Sequence, residues 1–215
     1  MLRATIARTP FEDVTMLRTH TSQAIVFALL AMLMAATRLH HFAPVLDASW
    51  AVFFIGGFYL RTQWRWAFPA LTVLAIAIDG YVIANSGLKF FDAYCMSAAY
   101  ALLILAHAAL WLGGAWLSRR DTARWPALGK LAAVFLVSAS VAYVISNGSF
   151  YWVADGWLTP GRERTMSGWL LNMSHWYLSY LQVAAMYVGS TAMLHVLVRA
   201  IRPSKSGSTA ETIAS

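Results

Sequence analysis

Charge is scarce in this 215-residue chain: 12% of its residues are Asp, Glu, Lys or Arg, about half the share of an ordinary soluble domain. A water-soluble fold is thereby excluded. Cysteine is nearly absent as well. The single thiol, Cys95, rules out an intramolecular disulfide and any Cys-rich zinc or iron-sulfur site. No G-x-x-x-x-G-K-[ST] loop occurs, since the one Gly-Lys pair, Gly129-Lys130, runs into Leu131. Without that phosphate cradle, ATP-driven work needs a partner. What the chain does have is apolar surface, 60% of its residues, together with a net charge of +7. On such a background a basic excess marks cytoplasmic loops, not a nucleic-acid surface, so no nucleic-acid partner is expected.

A spanning helix takes about 20 mostly apolar residues, because each adds about 1.5 Å across a core of about 30 Å. Six stretches are read on that basis: Ser22 to Ala36, Pro44 to Leu60, Trp66 to Ala84, Met96 to Leu117, Pro126 to Ile145 and Met166 to Ile201. Pro44, Pro69 and Pro126 fall in first turns, where a missing N–H costs little, and Pro203 follows the last stretch. The sixth stretch is too long for one perpendicular span. It is expected to begin with a surface portion near Ser167-Gly168 or to project from the bilayer, with Trp176 to Leu197 as its membrane part. Neither a repeat nor a Gly/Ser linker divides the bundle, so the expectation is an all-α integral membrane protein of six transmembrane helices. Residues 1–21 form a polar N-terminal extension, 22–201 the membrane domain and 202–215 a disordered tail. Met16 offers an alternative start that would make the first fifteen residues dispensable.

Lys and Arg set the orientation. Twelve fall at the N-terminus, the second and fourth connections and the C-terminus, against four on the other side, namely Arg38, Lys89, Arg162 and Arg164. The positive-inside rule then puts both termini in the cytoplasm and the first, third and fifth loops outside.

The outward side carries the residues with chemistry. The third loop reads Lys89-Phe90-Phe91-Asp92-Ala93-Tyr94-Cys95-Met96, with Tyr100 five residues after the thiol. A lone thiol facing an oxidising compartment is exposed to oxidation and needs a reason to be there. Cys95 also stands at a helix start, where the helix dipole favours a thiolate, a soft ligand for a transition metal. The plainer alternative is a small apolar residue packed under the loop. Asp79 lies about thirteen residues into the third stretch, some 20 Å along the axis. There an acid either faces the bundle interior or a wet cavity, as functional groups do, or sits near enough to the surface to be hydrated.

His40 and His41 flank the first loop beside Pro44 and Asp47, and Trp50, Trp152, Trp157, Tyr94, Tyr151 and Tyr177 crowd the same side. Those rings are read as an interfacial belt, with some available to wall a cavity for a large amphipathic ligand. His107, His175 and His195 fall at unmatched depths, which disfavours paired haem ligation and leaves interhelical hydrogen bonding as their commoner role. Ala24, Ala28, Ala31 and Ala35 align small side chains along one stripe of the first helix. That stripe packs either against another helix of this chain or against a partner.

With these features in place the chain resembles a known family: the solitary substrate-binding (S-component) proteins of energy-coupling-factor type associated with vitamin B12, the BtuM family. The likeness covers Met16 to about Pro203. Its carriers are Arg38-Leu39-His40-His41-Phe42-Ala43-Pro44-Val45, the run Ala48-Ser49-Trp50-Ala51-Val52-Phe53-Phe54, and Phe91-Asp92-Ala93-Tyr94-Cys95 with Tyr100. The resemblance implies an S-component-like bundle that binds cobalamin or cobinamide and takes it up across the bacterial inner membrane. It implies Cys95 as axial ligand to the corrinoid cobalt, Asp79 and Tyr100 near the metal face with Asp92 and Tyr94 beside them, and thiol-assisted loss of an upper cyanide. A shared energy-coupling ATPase module is the implied partner besides the lipid bilayer. Two other classes stay open on the residues alone: a haem or quinone oxidoreductase using His107, His175 and His195, and a copper-handling protein using Cys95 with methionines.

Overall fold

The computed structural model describes residues 10–39, 47–87, 98–119, 125–154 and 163–201. These form six helices: α1 (Pro10–Arg38), α2 (Ser49–Tyr59), α3 (Trp64–Asn85), α4 (Ala98–Leu117), α5 (Trp125–Val153) and α6 (Met166–Ile201), with one 3-10 turn, Arg61–Gln63, leading into α3. Five of them, all but α2, are long and apolar enough to cross a bilayer. The protein is a multi-pass helical membrane protein. Leucine, valine, tryptophan and methionine side chains stand exposed over the outside of the bundle, Leu112, Val137, Leu171 and Met193 among them, as a hydrocarbon solvent permits.

Of the six expected spans, α2 alone falls short of spanning length. Its eleven residues cover about 16 Å, half the hydrocarbon thickness. Hydropathy could not separate burial in protein from burial in lipid: Ser49 to Gly57 are all buried, sheathed by the other helices rather than by acyl chains. The backbone of α2 meets that of α4 directly. A Cβ on Gly57 would overlap the Trp111 carbonyl, and one on Gly114 would overlap the Phe54 carbonyl. Only glycine allows two helices this close.

Other boundaries also move. Helix α1 begins at Pro10, so part of the expected polar extension is helical. Helix α5 runs past Ile145 to Val153. Its polar last turns lower the hydropathy yet bind α6, Asn147 Oδ1 accepting from Trp169 Nε1 at 3.1 Å and the Tyr151 hydroxyl donating to the Thr165 carbonyl at 3.0 Å. Helix α6 is one continuous rod of 36 residues, about 54 Å long, with no separate surface portion.

The helices alternate in direction. Gln63, just before α3, donates to Gln23 of α1 at 2.9 Å, and Tyr59 at the end of α2 bonds His195 near the end of α6 at 2.7 Å. The early part of α1 and the late part of α6 therefore share one end of the bundle. The opposite end gathers the end of α1, the start of α2, the end of α3 and the start of α4 around one polar cluster.

Candidate functional site

That cluster is centred on Arg38, the last residue of α1, which is 7% exposed. Its guanidinium grips Asp79 of α3 with two parallel bonds, Nε to Oδ1 at 2.5 Å and Nη2 to Oδ2 at 2.6 Å. Its Nη1 reaches Asp47 Oδ2 at 3.1 Å and Ser49 Oγ at 2.7 Å. The planar fork of arginine suits such bidentate capture of a carboxylate. Asp47 in turn accepts from the Ser49 amide at 2.9 Å and from its hydroxyl at 2.6 Å, which fixes the start of α2. From α4 the Tyr100 hydroxyl donates to Asp79 Oδ2 at 2.6 Å. Four helices are thus tied by one network.

A charge in the apolar bundle is costly unless paired and hydrogen-bonded, and here every polar atom has a partner to hand. Two carboxyl groups share one guanidinium, so the network holds one more acid than base. Asp79 points inward, as a residue facing the bundle interior should, but both its oxygens are engaged by Arg38 and Tyr100. It can hold those two side chains in place; it has little capacity left to contact a ligand itself.

Of the residues singled out from the sequence, Asp79 and Tyr100 are brought together. Asp92, Tyr94 and Cys95 lie outside the described residues, as do His40, His41 and Trp157. Helix α4, which follows Cys95, enters the described part of the chain at Ala98, two residues before Tyr100. The charge count treats Arg38 as a loop cation; the structure makes it the buried hub of the site. The signal that could have found it is Asp79 itself: an intramembrane acid needs a cation at its own depth.

The rings divide differently from a simple belt. Trp50 is buried against Tyr143 and Tyr180, Tyr151 is buried, Tyr177 bonds Ser140 at 2.7 Å, and Trp152 is exposed. His107 is buried and stacked on Phe53 with centroids 4.0 Å apart. His175 is exposed and meets Trp176 edge-on. The three histidines occupy separate surroundings, and no group of three His, Cys, Asp or Glu converges among the described residues. The alanine stripe is split: Ala24 and Ala28 are exposed, while Ala31 and Ala35 are partly buried and pack against the core beside Leu30 and Met34.

The other end of the bundle holds a small apolar cavity of about 60 Å³ walled by Phe54, Phe58, Leu117, Leu131 and Val188, with His195 at its edge. This is well below the roughly 300 Å³ at which pockets for drug-sized ligands begin. No protein-family model matches the chain, and no curated protein matches it. The fold and site define a helical membrane protein with a buried ion network at one end of the bundle.

Proposed function

We propose that this chain binds a corrinoid at the end of the bundle where residues 88–97 connect α3 to α4, and mediates its uptake across the bacterial inner membrane. The supporting observation is the hydrogen bond from Tyr100 to Asp79. These residues come from separate helices, and the resemblance to the B12-associated S-components assigns both to the metal face. Anchored by Arg38, they form a floor at the end of the bundle where α3 ends and α4 begins. The acidic excess of that floor suits a cationic metal centre above it.

Cobalt in a corrin has four equatorial nitrogens and two axial positions, so the protein needs to supply one soft donor. Cys95 serves as that donor. A thiolate bound below cobalt pushes electron density onto the metal and weakens the bond to an upper cyanide, which leaves with its electron pair; any reduction of the metal requires an external reductant. With the termini cytoplasmic, as the charge count has it, Cys95 meets its cargo from outside. The energy for uptake comes from a partner module if ATP is used, because this chain lacks a phosphate-binding loop.

Titration of the detergent-solubilised protein with cyanocobalamin, followed by absorbance, tests the reading. The wild type should shift the corrin bands, and Cys95→Ala and Cys95→Ser should abolish the shift while the protein still elutes as a folded species. A wild-type spectrum from either variant removes the cobalt-ligand role. In intact spheroplasts an impermeant maleimide should label Cys95, and bound cobalamin should protect it; labelling only after permeabilisation reverses the orientation.

A further inference from the structure

Helix α6 is the least buried of the span-length helices, with 11% of its spanning window covered. Its buried side, with Tyr177, Ala184, Val188 and His195, packs on the bundle. The side facing away carries His175, Ser179, Gln182, Met186, Gly189 and Met193, all of them exposed. Their spacing alternates between four and three residues. That is the 3.5-residue repeat of a helix–helix seam, which keeps one narrow face toward a partner over several turns.

Two members of the seam are out of place against lipid. Gln182 lies six residues inside the expected membrane part, Trp176 to Leu197, where hydrocarbon offers its amide no hydrogen bond. Gly189 has nothing within 4 Å of where a Cβ would stand, so a second backbone can approach there closely.

We propose that two copies of this chain pair through this face of α6, with the Gln182 amides bonded to each other across a two-fold axis along the membrane normal. The chemistry favours a second copy over an unlike partner. A carboxamide is both donor and acceptor, hence complementary to itself. A two-fold axis normal to the membrane places each residue opposite its own counterpart at equal depth, so the match at Gln182 needs no other sequence to supply it. This proposal does not rest on corrinoid binding.

Cys95 is the chain's one cysteine, so a Cys95→Ala background makes introduced thiols unambiguous. Single cysteines at Ser179, Met186 and Met193 on the seam, and at Ala185 and Leu194 off it, are oxidised in native membranes. Dimer of twice the chain's mass should form at the seam positions and severalfold less at the other two. Uniform crosslinking, no crosslinking, or adducts only with a protein of different mass overturns the proposal. Dilution in detergent then reads the amide pair: Gln182→Leu should weaken dimerisation roughly 3- to 30-fold, and Gln182→Asn, which keeps an amide, should weaken it less. An unchanged dimer with Gln182→Leu overturns the pairing of the amides.

Discussion

The two ends of the bundle solve the problem of polar groups in an apolar interior in opposite ways. At the end where α1 finishes and α4 begins, a guanidinium, two carboxyl groups and two hydroxyls are drawn inward and tied into one network. At the other, a neutral bond from Tyr59 to His195 sits beside a small cavity walled by hydrocarbon. Burying charge confers little net stability over packing apolar groups, but it makes each member indispensable once the others are present. The charged end is therefore built for fixed geometry, and the neutral end for tolerance.

The largest effect should come from Asp79→Ala, which strips Arg38 of its principal partner. A stability loss of about 3–5 kcal/mol is expected, seen as a large fall in the melting temperature of the detergent-solubilised protein. Pairing Arg38→Met with Asp79→Leu should recover part of that loss, because the double change removes the buried charge along with its partner. Next comes Tyr100→Phe, which deletes one bond to a carboxylate. It should cost about 1.5–3 kcal/mol and blunt the cobalamin spectral response if this floor supports the metal site. The smallest change is expected at the neutral end, where Tyr59→Phe should cost about 0.6 kcal/mol, the mean for hydrogen bonds between membrane helices. If Tyr59→Phe destabilises as much as Asp79→Ala, the contrast between the ends collapses.

The charged end also shows what could be read from residues in a row. The five long helices are legible because lipid and bundle both demand apolar runs. Helix α2 reads as a span for the same reason, since a short helix buried from Ser49 to Gly57 is as apolar as one. Arg38 is hidden from a charge count, which assigns each cation to its nearest connection, whereas its partner lies 41 residues away. The alanine stripe has the right spacing for close packing, yet only Ala31 and Ala35 meet the core, beside the larger Leu30 and Met34 on a neighbouring face. Tyr100 and Asp79 were linked through the family resemblance, and no local pattern would have joined residues on separate helices.

The glycine contact between α2 and α4 limits how this protein can move. With Gly57 lodged on the Trp111 backbone and Gly114 on that of Phe54, neither helix can slide or roll on the other without a collision of main chains. Kinematically they are one body with a single set of rotations. Ser49, at one end of that body, belongs to the Arg38 network, and Tyr59, at the other, bonds α6. A tilt imposed at the charged end must therefore reappear at the neutral end as a lever's opposite stroke, delivered to α6 over roughly 16 Å.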